Sequence, residues 1–115
     1  MTRALVNAHC AGLPGAEVSD PWGGGHDAWK VGGKMFALVG SVGDGVSVKC
    51  VDVETAGLLV EMGRATRAPY LHRSWVRVPF GAVPDAEVVE RLTASYRIIR
   101  SGLSKKFQAM LPPAP

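Results

Sequence analysis

The segment HDAWKVGGKMFALVG, residues 26–40, is the most informative stretch of the sequence about the fold. Its Gly32-Gly33 pair stands between two largely apolar stretches. Two adjacent glycines readily adopt the positive φ values that a two-residue hairpin turn requires. The segment therefore predicts two antiparallel strands, residues 26–31 and 34–40, joined at these glycines.

The same turn predicts a register for the two strands. Counting outward from the glycines gives four cross-strand pairs: Val31 with Lys34, Lys30 with Met35, Trp29 with Phe36, and Asp27 with Leu38. Directly opposed aromatic side chains stabilise a sheet by about 0.2–1 kcal/mol. We therefore expect Trp29 to pack beside Phe36.

The remaining elements follow from periodicity and capping signals. Residues 16–50 read as a β-meander, and RAPYL with WVRVPF predicts a second hairpin that turns near residues 72–74. Thr2 is expected to cap a first helix and Asp52 a second one, while Pro84 and Gly102 delimit a third. The predicted order is α-β-β-β-α-β-β-α. This order indicates a two-layer α+β domain in which helices cover one face of an antiparallel sheet.

Composition bounds the protein class. The 115 residues are 47% hydrophobic and 20% charged, as expected for one globular domain with its own core. No apolar run is long enough to span a membrane, and the N-terminus lacks the pattern of a signal peptide. The two cysteines, Cys10 and Cys50, are too few for a disulfide framework. We therefore expect reduced thiols, the cytoplasm and no membrane role.

The charge is unevenly distributed. Residues 1–62 contain four Lys or Arg against seven acids, whereas residues 63–115 contain nine Lys or Arg against three acids. A basic half is either a footprint for a polyanion or a solvated basic surface, and the count does not separate these alternatives.

Catalytic and metal-binding patterns are absent. Lys34 is followed by a strand and not by a helix, so Gly32-Gly33-Lys34 is not a phosphate-binding loop. His26, Asp20 and Asp27 lack the spacing of metal ligands. Cys50 is predicted to face the core, and Trp22 and Trp29 to be packing residues. We expect no enzyme activity, no cofactor and no stoichiometric metal.

The motifs CAGLPGAE, WKVGGKMFALV and SVKC-VD, in this order, resemble the MmcQ/YjbR family. The later segments PYLHRSWVRV and PDAEVVERLTASYRIIRSGLSKK resemble that family's second hairpin and C-terminal helix. The resemblance implies a domain over residues 1–107, followed by a Pro-rich tail at 108–115. The segment SKKFQAMLPPAP, residues 104–115, ends in prolines that cannot continue a helix and is expected to fray. It also implies an α+β fold similar to frataxin and type III secretion chaperones.

The resemblance further implies DNA binding through two β-hairpin wings. Phosphate contacts from basic side chains supply affinity without sequence preference. The candidate contacts are the basic residues near the expected hairpins and in the tail: Lys30, Lys34, Arg64, Arg67, Arg73, Arg77, Lys105 and Lys106.

Two other functions stay open. The chain could be a protein-interaction module, chaperone-like or homodimeric, that uses its sheet face or an edge strand. A weaker alternative is a frataxin-like acidic metal surface built from Glu17, Asp20 and Asp27, although the first helix contains no acids.

Overall fold

The computed structural model describes all 115 residues and has ten elements in chain order. They are α1 (Arg3–Ala11), β1 (Ala16–Ser19), β2 (Asp27–Val31), β3 (Lys34–Val39), β4 (Gly45–Lys49), α2 (Val53–Glu61), β5 (Thr66–Arg67), β6 (Trp75–Pro79), α3 (Asp85–Ser101) and α4 (Lys105–Ala109). The predicted α+β fold and its order are confirmed, with strand β1 and the short helix α4 as additions.

The six strands form one antiparallel sheet in the order β1-β2-β3-β4-β6-β5. Helix α2 connects β4 to β5, and the chain then returns through β6 to pair with β4. This path leaves β1 and the two-residue β5 as the sheet edges. Helix α3 packs across the middle of the sheet, mainly against β3 and β4.

The predicted helix caps at Thr2 and Asp52 are confirmed. The Thr2 hydroxyl accepts a hydrogen bond from the Leu5 amide, and the Asp52 carboxylate accepts one from the Thr55 amide. Helix α3 begins after Pro84 and ends at Gly102, as predicted. Each cap satisfies a backbone group that has no partner inside its helix.

The first hairpin forms at Gly32-Gly33, but only half of the predicted register is right. Val31 pairs with Lys34 and Lys30 with Met35, whereas Trp29 pairs with Ala37 and Asp27 with Val39. A β-bulge between Trp29 and Lys30 inserts Phe36 as an extra residue on β3. The predicted pairing of Trp29 with Phe36 is therefore wrong, because a bulge shifts every pair beyond it by one residue.

The Phe36 side chain packs against the helical layer of the domain. Its ring meets the ring of Tyr96 from α3 edge to face, with 5.4 Å between centroids. Both side chains are fully buried. Phe36 and its neighbour Ala37 are both buried at the bulge.

The second hairpin differs from its prediction. Strand β5 is Thr66–Arg67, so most of RAPYL lies in the β5–β6 loop, residues 68–74. Pro69 has no amide to donate to a sheet, and Tyr70 has a φ of 68°. Both features end the strand early and produce a longer loop than the predicted turn.

The C-terminal segment is more ordered than predicted. Ser104 caps α4, and Leu111 packs against the core beside Gly15. Fraying is therefore wrong for residues 105–111, although the domain boundary at 107 stays a prediction. No helix in the chain has both the length and the hydrophobicity needed to cross a bilayer.

Candidate functional site

The tip of the first hairpin is backed by the C-terminal helices and is not a free wing. A Cβ atom added to Gly32 would lie 2.7 Å from Leu103 Cδ1 and 3.2 Å from Phe107 Cε1. The backbone of the turn therefore touches these two side chains directly. This contact holds α4 against the turn between β2 and β3.

The contact brings Lys34 to the same end of the molecule as Lys105 and Lys106, which are distant from it in sequence. Lys34 is the first residue after the turn, and Lys105 and Lys106 immediately precede Phe107 on α4. All three are exposed, and none lies within 4.0 Å of a carboxylate. We call Lys34, Lys105 and Lys106 the tip cluster.

Lys30 lies close to this end but in a different environment. It is half-buried on β2, where its neighbours across the strands are Glu17 on β1 and Met35 on β3. An acid directly opposite a lysine lowers the positive potential that the lysine presents. Lys30 is thus less available to a polyanion than the tip cluster.

The second hairpin contributes two free cations. Arg67 ends β5, and Arg73 lies in the β5–β6 loop. Both side chains are exposed, and neither makes an ion pair or a side-chain hydrogen bond. These two arginines are therefore available for a ligand.

The other two predicted arginines are engaged within the protein. Arg64 binds the carboxylate of Glu87 at 2.6 Å, and Arg77 forms an ion pair with Asp44. The Arg77 guanidinium also fills the space beside Gly45, where a Cβ atom would lie 2.7 Å from it. Because each charge already has a partner, these arginines offer less to an anion than the unpaired ones do.

A polar network beside the second hairpin was not predicted. Lys49 Nζ donates to Ser74 Oγ at 2.5 Å, and this oxygen lies 2.8 Å from His72 Nδ1. The Ser74 amide also donates to His72 Nδ1 at 3.1 Å. Lys49 was missed because only the β4–β6 pairing brings it next to Trp75 and the loop before that residue.

A second unpredicted feature is an exposed aromatic patch, formed by Trp22, His26, Leu38, Pro69, Tyr70 and Leu71 around a cavity of about 380 Å³. Trp22 is 60% exposed, so its prediction as a packing residue is wrong, whereas Trp29 is buried as predicted. The reason is that Trp22 lies in the β1–β2 loop, away from the main core. The segment RAPYL predicts a strand, so the sequence does not indicate that Pro69 and Tyr70 lie beside Trp22.

The acids near the first loop are used for structure. The Arg3 guanidinium at 2.6 Å and the Asn7 amide at 2.9 Å hold the pKa of Asp27 below its usual range. Amides of the loop, chiefly that of Gly25, lower the pKa of Asp20. No three His, Cys, Asp or Glu side chains come together to share an ion. Glu17, Asp20 and Asp27 therefore do not form one ridge.

The two cysteines lie in the core, as predicted for Cys50. Burial raises the pKa of Cys10 to about 12 and also raises that of Cys50. Neither forms a disulfide. Thiols with raised pKa values are poor nucleophiles at neutral pH, because the thiolate is the reactive form.

Comparison with known proteins gives a family and a solved fold. A family model described as YjbR matches residues 11–98, which include all six strands and most of α3. The crystal structure of Deinococcus radiodurans protein DR2400, described as a DUF419 domain, is similar with a TM-score of 0.80 and 26% sequence identity. That similarity covers 91% of this chain and 83% of the other. No curated protein matches the chain.

Proposed function

This chain belongs to the YjbR family, and we propose that it binds duplex DNA through the phosphate backbone with little sequence preference. The observation that carries the proposal is the tip cluster, in which α4 and the first hairpin together present three exposed lysines without acidic partners. Arg67 and Arg73 of the second hairpin add two more unpaired cations.

The proposed contacts are electrostatic. Lysine and arginine bind phosphate oxygens, and each neutralised phosphate releases counterions from the duplex. Five contacts correspond to a slope of about −4.5 in a plot of log affinity against log salt concentration. Raising the salt from about 50 to about 200 mM should then weaken binding roughly 500-fold. Base reading is not part of the proposal, because the proposed contacts are lysines and arginines that bind the phosphate backbone.

The test is a fluorescence-anisotropy titration of labelled duplexes of unrelated sequence at several salt concentrations. The double variant Lys105→Gln/Lys106→Gln should reduce the slope to about −2.7, because two contacts are lost. The matched control is Arg64→Gln/Arg77→Gln, which removes the same charge from residues that already have acidic partners. The control should leave the slope close to that of the unmodified protein.

Two results would overturn the proposal. One is the absence of duplex binding at about 50 mM salt. The other is an equal change of slope in the two double variants, which would mean that only net charge matters. The proposal also implies a compartment that contains DNA. The unpaired cysteines favour the reducing cytoplasm as that compartment.

A second candidate function, a protein-interaction module, is favoured by the aromatic patch. Trp22 and Tyr70 expose large apolar area beside one another, and such area on a small domain often marks a contact surface. Self-association is the simplest form of this function. Sedimentation over a range of protein concentrations tests it, and Trp22→Ser/Tyr70→Ser should abolish any dimer that uses the patch.

We propose no catalytic role for the chain. The support is that its two thiols, the strongest nucleophiles it contains, are buried with raised pKa values. An activity that disappears on Cys50→Ser substitution in a folded variant would contradict this view.

A further inference from the structure

A cavity of about 190 Å³ lies between α2 and the β5–β6 loop. Seven of its eleven lining residues are hydrophobic, among them Ala56, Val60, Ala68 and Leu71. No acidic side chain lines it. We call this space the α2 cavity; it is separate from the tip cluster and lined by other residues than the aromatic patch, apart from Leu71.

Gly57 leaves the α2 cavity open on its helical side. Glycine inside a helix is about 1 kcal/mol less favourable than alanine. At Gly57 no packing explains the glycine, since an added Cβ atom would meet no heavy atom within 4 Å. The residue lines the cavity. A side chain here would therefore extend into open space at the exposed edge of the cavity without disturbing the core, and the glycine leaves that edge unobstructed.

The remaining wall consists of basic side chains. Arg67, His72 and Arg73 all line the cavity, and both arginines lack ion-pair partners. The Ser74 amide donates to His72 Nδ1, so the neutral imidazole carries its proton on Nε2. Arg67, His72 and Arg73 therefore place hydrogen-bond donors at a cavity that no acidic side chain lines.

We propose that the α2 cavity binds a small carboxylate whose apolar body is about the size of one aromatic ring. The size follows from the volume, because an apolar cavity of about 150 Å³ accommodates benzene. The charge follows from the two unpaired guanidinium groups, which bind carboxylates through paired N–H donors. The apolar body lies against α2, and the carboxylate faces Arg67 and Arg73.

This inference goes beyond the proposed function and does not depend on it, because the test contains no nucleic acid. The two are nevertheless linked through Arg67 and Arg73. An acid bound in the cavity neutralises two of the five cations that the DNA proposal uses. Failure of DNA binding would leave the acid site unaffected, and the reverse also holds.

The test uses three probes at low salt and follows backbone amide chemical shifts of Gly57 and Ala68. Phenylacetate has both charge and ring, 2-phenylethanol has the ring without the charge, and acetate has the charge without the ring. Phenylacetate should give saturable shifts in the millimolar range. The other two probes should bind about tenfold more weakly, since each lacks one half of the recognition.

Two sets of variants assign the site. Arg67→Gln/Arg73→Gln alters only exposed side chains and should weaken phenylacetate about 10- to 100-fold while leaving 2-phenylethanol unchanged. Gly57→Leu should abolish binding of both ring compounds by filling the cavity. Gly57→Ala, which adds one methyl group, is its matched control and should retain binding. Thermal melts should show both Gly57 variants to be at least as stable as the original protein.

Three outcomes would overturn the inference. The first is the absence of saturable shifts with phenylacetate. The second is equal affinity for acetate and phenylacetate, which would indicate a surface anion contact without the cavity. The third is phenylacetate binding that survives Gly57→Leu, which would locate the ligand elsewhere on the protein.

Discussion

The Ser95 hydroxyl links α3 to the sheet through two hydrogen bonds, and its removal should lower the free energy of unfolding. Ser95 Oγ donates to the Phe36 carbonyl at 2.6 Å and accepts from the Lys49 amide at 2.9 Å. The β3–β4 ladder ends with the pair Ala37 and Val48, one residue before these two groups would meet. The hydroxyl therefore bridges two strands at the position where they separate.

The magnitude of Ser95→Ala follows from the two groups left without partners. Ser95 is fully buried, so water does not replace its hydroxyl easily. Each buried polar group that loses its partner costs about 1–3 kcal/mol. Alanine is the better helix former by about 0.5 kcal/mol. The free energy of unfolding should therefore fall by about 2–5 kcal/mol, and Tm by roughly 8–20 °C.

Urea unfolding followed by circular dichroism measures the change, and hydrogen exchange should show faster exchange of the Lys49 amide. The matched control is Ser101→Ala on the same helix, where an exposed hydroxyl donates to the Ile98 carbonyl. That variant should change stability by less than about 0.5 kcal/mol. If Ser95→Ala lowers the free energy of unfolding by no more than Ser101→Ala does, the Ser95 hydroxyl does not stabilise the two strands as described.

Three further predictions concern stability and reactivity. Gly32→Ala should cost more than Gly33→Ala in urea unfolding: both have positive φ, but only at Gly32 does the new methyl collide with Leu103. The pKa of Asp27 is lower in the folded protein than in the unfolded chain. Asp27 therefore stabilises the fold above its unfolded pKa of about 3.9, and this contribution is lost as the pH falls through the folded pKa. Asp27→Asn should therefore lose less stability than the original protein between about pH 5 and 2 when acid unfolding is followed. Cys10, with a pKa of about 12, should react with a disulfide reagent at pH 8 only after unfolding, and fast labelling of the native protein would contradict its burial.

Much of the candidate site could be named from the sequence, because basic residues are recognisable by type alone. The sequence does not reveal which of them are free. Arg64 and Arg77 looked equivalent to Arg67 and Arg73, yet their acids, Glu87 and Asp44, lie far away in the chain. Only packing brings such pairs within ion-pair distance, so counting charges overestimates the available surface.

The features that could be predicted from the sequence are local: the turn at Gly32-Gly33 and the cap at Asp52 depend on φ values and hydrogen bonds among neighbouring residues. Other features depend on contacts between segments that are distant in the chain. Phe36 lies in a bulge and its ring meets that of Tyr96 on α3, and Phe107 of α4 lies against the turn at Gly32. The free space beside Gly57 likewise arises only where α2 meets the β5–β6 loop. Patterns of neighbouring residues do not predict these contacts, because the energy of burial depends on which surfaces meet in space.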